Sequence, residues 1–124
     1  MTGKLEKMRS TLEEMEKIIS RKMRELCITP KTKGYDYIKE GVIILVRSSN
    51  ADDLLVKSLY VEIAKRFDAS YGKVERTIRY AIERISLKGI NLFEYFGYEK
   101  LIDRKMTNRE FLSNFAIKIK EELI

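Results

Sequence analysis

The chain has no histidine, one cysteine and one proline in 124 residues. Each shortage removes a class of explanation. Without histidine there is no His-based catalytic triad, and a single cysteine leaves no ligand set for a zinc finger. The lone Cys27 excludes an internal disulfide, and no secretory signal is present, so the expected location is the cytoplasm. Cys27 itself reads as a small buried hydrophobe. One proline and six glycines are few breakers for this length, which favours helix. The longest apolar run is far too short to cross a bilayer. Neither GxxxxGK[ST] nor GxGxxG occurs. No internal repeat or low-complexity segment stands out. No catalytic constellation survives inspection, so the chain does not read as an enzyme. No metal, cofactor or small-molecule substrate is expected.

What is present is apolar and basic. The sequence is 44% hydrophobic, enough to bury a real core, and its length suits one domain with an appended helix. Twenty-five Lys and Arg stand against 19 acidic residues, a net charge of +6. That balance permits an anionic partner, but the position of the charge matters more than its sum.

Residues 4–27 read as one helix. Leu5, Leu12, Ile19 and Leu26 recur every seven residues, Met8 and Met15 fill the interleaved positions, and Lys22 breaks that row. Such a row makes either a short coiled-coil arm or a face packed on its own domain. Ile18, Met23 and Cys27 widen the apolar stripe and favour docking for the second half. Thr29-Pro30 is expected to end the helix. A basic linker, residues 31–33, and Gly34 lead into a second helix with a stripe of Tyr37, Ile38, Val42, Leu45 and Val46. Val42 to Val46 alone would also suit a buried strand, but helical patterns flank it. After a break at Ser48, Ser49 and Asn50, Asp52 and Asp53 suit the first turn of a helix. Glu13-Glu14 and Glu121-Glu122, like these aspartates, lack the partners that acid–base or metal chemistry needs.

Leu55, Leu59, Ile63, Ala64 and Phe67 form the next core stripe, in one helix or in two with a bend near Tyr60. Asp68, Ala69, Ser70 and Tyr71 make a turn, and Asp68 or Ser70 caps the helix that follows. Gly89 stops that helix. The four aromatics of residues 91–98 are expected to close the core. A last helix begins near Arg109, capped by Thr107 or Asn108, with Phe111, Leu112, Phe115, Ile119 and Leu123 inside.

Residues 72–88, set on a wheel at about 100° per residue, divide cleanly. Val74, Ile78, Ala81, Ile82 and Ile85 fall on the core face. Gly72, Lys73, Arg76, Arg79, Tyr80 and Glu83 take the other side, with Glu75 and Thr77 at its margins. The chemistry suits a DNA major groove. Arg, and less rigidly Lys, donates to guanine O6 and N7, Glu accepts from cytosine N4, and the Thr methyl meets a thymine methyl. A solvated charged face explains the same pattern, and Glu75 reads either as a base reader or as a rim residue pairing with Arg79 at i+4.

The segments KGYDYIKEG, LYVEIAKRF, KVERTIRYAIE, FGY and TNREF carry a resemblance. In their order and near spacing, over about residues 19–123, the chain resembles the C-terminal effector domain of the master sporulation-initiation response regulator of endospore-forming bacteria. The resemblance implies an all-α compact bundle of about six helices, here with an extended N-terminal helix. It places a helix-turn-helix at about 59–88, with a recognition helix, about 72–88, on double-stranded DNA. Residues 1–33 would be a helical arm and linker, and residues 34–124 the DNA-binding domain. By resemblance, Lys73, Glu75 and Arg76 meet base edges and Arg79 a phosphate or adjacent base. Gly72, Thr77 and Tyr80 complete the expected surface. Lys73 stands for the family's usual Arg, Gly72 for Ser and Tyr80 for His, which bears on the preferred box.

About 18 residues precede the shared region, too few for the family's receiver domain. A naturally receiverless relative is favoured over an excised domain. Homodimerisation is then expected through the arm, residues 5–19, or on tandem DNA sites. The competing function is a protein-interaction module that antagonises the full-length regulator by pairing with it or occupying its promoter.

Overall fold

A computed structural model of the chain describes residues 2–48, 56–99 and 102–123, and side chains in the first two segments from residues 11 and 58. Asp52, Asp53 and Leu55, and the side chains of Leu5 and Met8, lie outside the described residues. Those described form helices and no strand: α1 (Thr2–Glu25), α2 (Tyr35–Arg47), α3 (Val56–Arg66), α4 (Tyr71–Leu87), α5 (Leu92–Tyr95) and α6 (Asn108–Leu123). The run from Val42 to Val46 is helical.

Met15, Ile18, Ile19 and Met23 on α1, and Leu26 just past its end, are buried, so the second half of the arm docks on the bundle. The helix stops before Pro30 can act. Cys27 adopts a left-handed φ of 62°. Its N–H donates to the Arg24 carbonyl at 2.9 Å, and that of Ile28 to the Met23 carbonyl at 2.8 Å. This is the Schellman geometry, with a cysteine where glycine is usual. It corrects the expected burial of Cys27. The reversal turns that side chain to solvent and sends Ile28 into the core.

Lys22, which interrupts the apolar row, is buried all the same. Its ammonium lies 2.6 Å from the Glu122 carboxylate near the end of α6, and Arg21 pairs with the same carboxylate. The Lys22 hydrogen bond, with Arg21 adding to it, holds the Glu122 carboxyl below its usual range. One of the paired acids near the C-terminus is therefore a clamp between α1 and α6.

α2 runs through the middle of the bundle and touches α1, α3, α4 and α6. Its buried side is broader than a single stripe: Gly41 and Ile43 are buried, whereas Tyr37 and Val46 are half-covered. α6 lies along it with Phe111, Leu112, Phe115, Ala116 and Ile119 inside. The aromatic segment closes the core as expected. Phe93 is buried, and Phe96 meets Phe111 and Phe115 at centroid distances of 6.0 and 6.3 Å. Tyr95 and Tyr98 instead face partly outward, and their hydroxyls donate to Glu25 and Asn114, both at 2.9 Å.

The two partners of the Lys22–Glu122 pair are unequally exposed, at 5% and 34% of their side chains. Removing the carboxylate strands a buried ammonium. Removing the ammonium leaves a half-solvated carboxylate that still has Arg21. Glu122→Ala is therefore expected to cost about 2 kcal/mol, and Lys22→Met under about 1 kcal/mol, in urea unfolding. Equal losses would contradict this account of the clamp.

Candidate nucleic-acid interface

α3 and α4 are joined by a tight reversal. Asp68 takes a left-handed φ of 49°, and the N–H of Ala69 donates to the Ala64 carbonyl at 2.9 Å. Ser70 then caps α4, its Oγ accepting from the Lys73 N–H at 3.1 Å. Of the two residues expected to cap, Ser70 caps and Asp68 makes the corner. α3 is a single helix through Tyr60, with Leu59, Ile63 and Ala64 buried. Phe67 departs from expectation. It is 40% exposed at the corner, where its ring meets Tyr37 edge-on at 5.4 Å. The chain reverses at the next residue, which swings position 67 out of the stripe.

All five apolar positions of α4 are buried: Val74, Ile78, Ala81, Ile82 and Ile85. The helix ends at Leu87, and Gly89 follows with φ 84°. This anchoring leaves Lys73, Arg76, Arg79 and Tyr80 exposed, with Gly72, Glu75, Thr77 and Glu83 half-covered beside them. The Arg79 guanidinium bonds Glu75 at 2.7 Å and lies 5.5 Å from the centre of the Tyr80 ring. A Cβ on Gly72 would fall 3.2 Å from an Arg76 guanidinium nitrogen, so the missing side chain gives that guanidinium room over the start of the helix.

Two supports hold α4 from its flanks, and the sequence showed both residues only in other roles, Gly34 before a helix and Asn108 as a cap. On one side, Gly34 packs against it. A Cβ there would lie 3.2 Å from the Thr77 carbonyl oxygen and 3.3 Å from the Thr77 methyl, and its φ of 97° excludes most other residues. The Thr77 methyl therefore faces Gly34 at the margin of the exposed face. On the other side, the Asn108 amide donates to the Glu75 carbonyl at 3.1 Å. Asn108 also bonds the buried Tyr60 hydroxyl, which burial pushes above its ordinary pKa. The signal for this lies in the Thr-x-x-Glu spacing. Thr107 and Glu110 form a reciprocal capping box with bonds of 3.1 and 3.0 Å, which frees Asn108 to reach α4.

Arg104 grips the Glu110 carboxylate with two bonds of 2.8 Å, and that pair, with Thr107, brings the Glu110 carboxyl down to about 2. Its folded value lies below the ordinary 4.5, so the charged form stabilises the fold above about pH 4.5. That contribution fades as pH falls from 4.5 toward 2. Melting temperatures across this window should drop more steeply for the parent than for Glu110→Gln. Thr107→Ala, which removes the cap, should cost about 1 kcal/mol in urea unfolding at neutral pH.

A family profile described as "Sporulation initiation factor Spo0A C terminal" matches residues 19–119, most of the chain. The match begins within α1, ahead of the linker, and takes in both halves of the helix-turn-helix and most of α6. The expected all-α architecture and the resemblance read from the five sequence segments agree with it. The chain belongs to the family of the C-terminal, DNA-binding effector domain of the sporulation initiation factor.

Proposed function

We propose that this chain is a sequence-specific transcription regulator that lays α4 in the major groove of double-stranded DNA. The observation that carries the reading is the division of α4. One face is locked into the core at five positions, and the other presents Lys73, Glu75, Arg76 and Arg79 behind a capped turn. Lys73 and Arg76 are suited to guanine edges and Glu75 to cytosine N4. Arg79 reaches a phosphate or a neighbouring base, released from or shared with Glu75. Gly72 and Tyr80 border the contact, and Thr77, turned to Gly34, sits at its edge. The protein would act in the cytoplasm, where the chromosome is.

Assembly fits tandem DNA sites better than pairing along the whole arm. Ile19 and Leu26 of the seven-residue row, and Met15 of the interleaved positions, are buried in the protein's own core and cannot also form a seam between two chains. Sedimentation is expected to show a monomer in the absence of DNA. A dimer lost on removal of residues 1–14 would reverse this.

Binding to a duplex carrying the family's box and to a scrambled duplex, over a range of salt, tests the main reading. The box should be preferred, and affinity should fall steeply with salt through counterion release. Arg76→Ala should cost about 1–3 kcal/mol on the box and relax the preference. Arg79→Ala, if it meets phosphate, should weaken both duplexes alike. Equal, weak binding of the parent protein to both duplexes would falsify specific readout.

A further inference from the structure

We propose that the duplex is gripped on both flanks of α4, by Lys33 on one side and by Arg109 with Lys105 on the other, each flank meeting the phosphates of one strand. The inference rests on the reading of α4 as the helix that enters the groove, and it extends the contact to elements outside the helix-turn-helix.

Two grooves run beside α4. One, of about 560 Å³, is formed in part by Lys33, Gly34, Lys73, Arg76 and Tyr80. The other, of about 640 Å³, is formed in part by Glu75, Arg79, Glu83, Lys105 and Arg109. They have no residue in common. On the helical wheel their α4 residues lie to either side of the exposed midline, near Arg76 and Glu83.

Each groove contains one of the two supports of α4, and each support has a cation as its chain neighbour. Lys33 precedes Gly34, which packs on Thr77. Arg109 follows Asn108, which is bonded to the Glu75 carbonyl. The supports therefore set where the backbone of both cations stands relative to the reading face. Lys33 and Arg109 are exposed, and neither has an ion-pair partner among the described residues. Lys105 is only loosely engaged, 3.7 Å from Glu83. The grooves also hold carboxylates: Asp36 in the first, and Glu75 and Glu83 in the second. These oppose phosphate and make the placement of the cations decisive.

Scale decides what the cations meet. A helix with its side chains is about 10–12 Å across, and the major groove is about 12 Å wide. A helix seated there brings its two flanks to the two phosphate walls, while its midline faces the bases. The flanking cations thus contribute affinity and register without reading sequence.

The full chain carrying Lys33→Gln, Arg109→Gln or both is titrated against the box and scrambled duplexes over a potassium chloride series. Each single variant should weaken both duplexes by the same factor. It should also reduce the slope of log affinity against log salt by about 0.9, and the pair by about 1.8. The ratio between the duplexes should not change, in contrast to Arg76→Ala, which should lower it. Charge reversals, Lys33→Glu and Arg109→Glu, should act in the same direction and further. Parental slopes in folded variants, judged by thermal melting, would overturn the proposal, as would a loss confined to the box duplex. If the parent itself binds both duplexes weakly and equally, the reading of α4 has failed, and the two-sided grip falls with it.

Discussion

The bundle depends on a place where α2 has no side chain. A Cβ on Gly41 would lie 3.2 Å from the end of Ile63 on α3 and 3.6 Å from that of Leu112 on α6. Both helices lean into this gap, so α2 can serve as a common axis for its neighbours. A glycine inside a helix costs about 0.5–1 kcal/mol relative to alanine. Here the close approach of Ile63 offsets that cost, with Leu112 at ordinary contact distance on the other side. Ile63 belongs to the first helix of the helix-turn-helix, so the packing at Gly41 also sets where that motif sits on the core.

From that axis the constraint passes outward to α4. Its inner face is fixed by five buried side chains, its linker flank by Gly34 and its far flank by Asn108. The Asn108 contact relies in turn on the Thr107–Glu110 capping box and on the Arg104 grip that fixes the Glu110 carboxylate in place. A helix supported in this way loses little freedom when a ligand meets its outer face, and such preorganisation lowers the cost of binding. The outer face is not uniformly basic. Glu75, half-covered beside the exposed cations, bonds Arg79 at 2.7 Å.

Much of this was legible in the sequence, because local periodicity reports local burial. The apolar side of α4, the stripe of α6, the break at Ser48 and the stop at Gly89 each depend on spacing within one element. The misses share a different cause. Cys27 lies in a left-handed reversal and Phe67 just before one at Asp68, and a turn marked by sequence does not say which way the side chain beside it points. Lys22 reads as a flaw in an apolar row because its partner, Glu122, is a hundred residues away. Gly34 and Asn108 support α4 through tertiary contacts, so each resembles an ordinary linker or cap residue until the helices are in place. Of the expected site, the exposed surface of α4 was legible and its two supports were not.

Selection of bound sequences from random duplex DNA by the full chain tests the central claim most directly, since it presumes no box. If the outer face of α4 reads base edges, a short motif should emerge with guanine at positions opposite Lys73 and Arg76, and the Arg76→Ala variant should lose preference at one of these alone. A pool with no enriched motif, or the same motif from both proteins, would contradict the account.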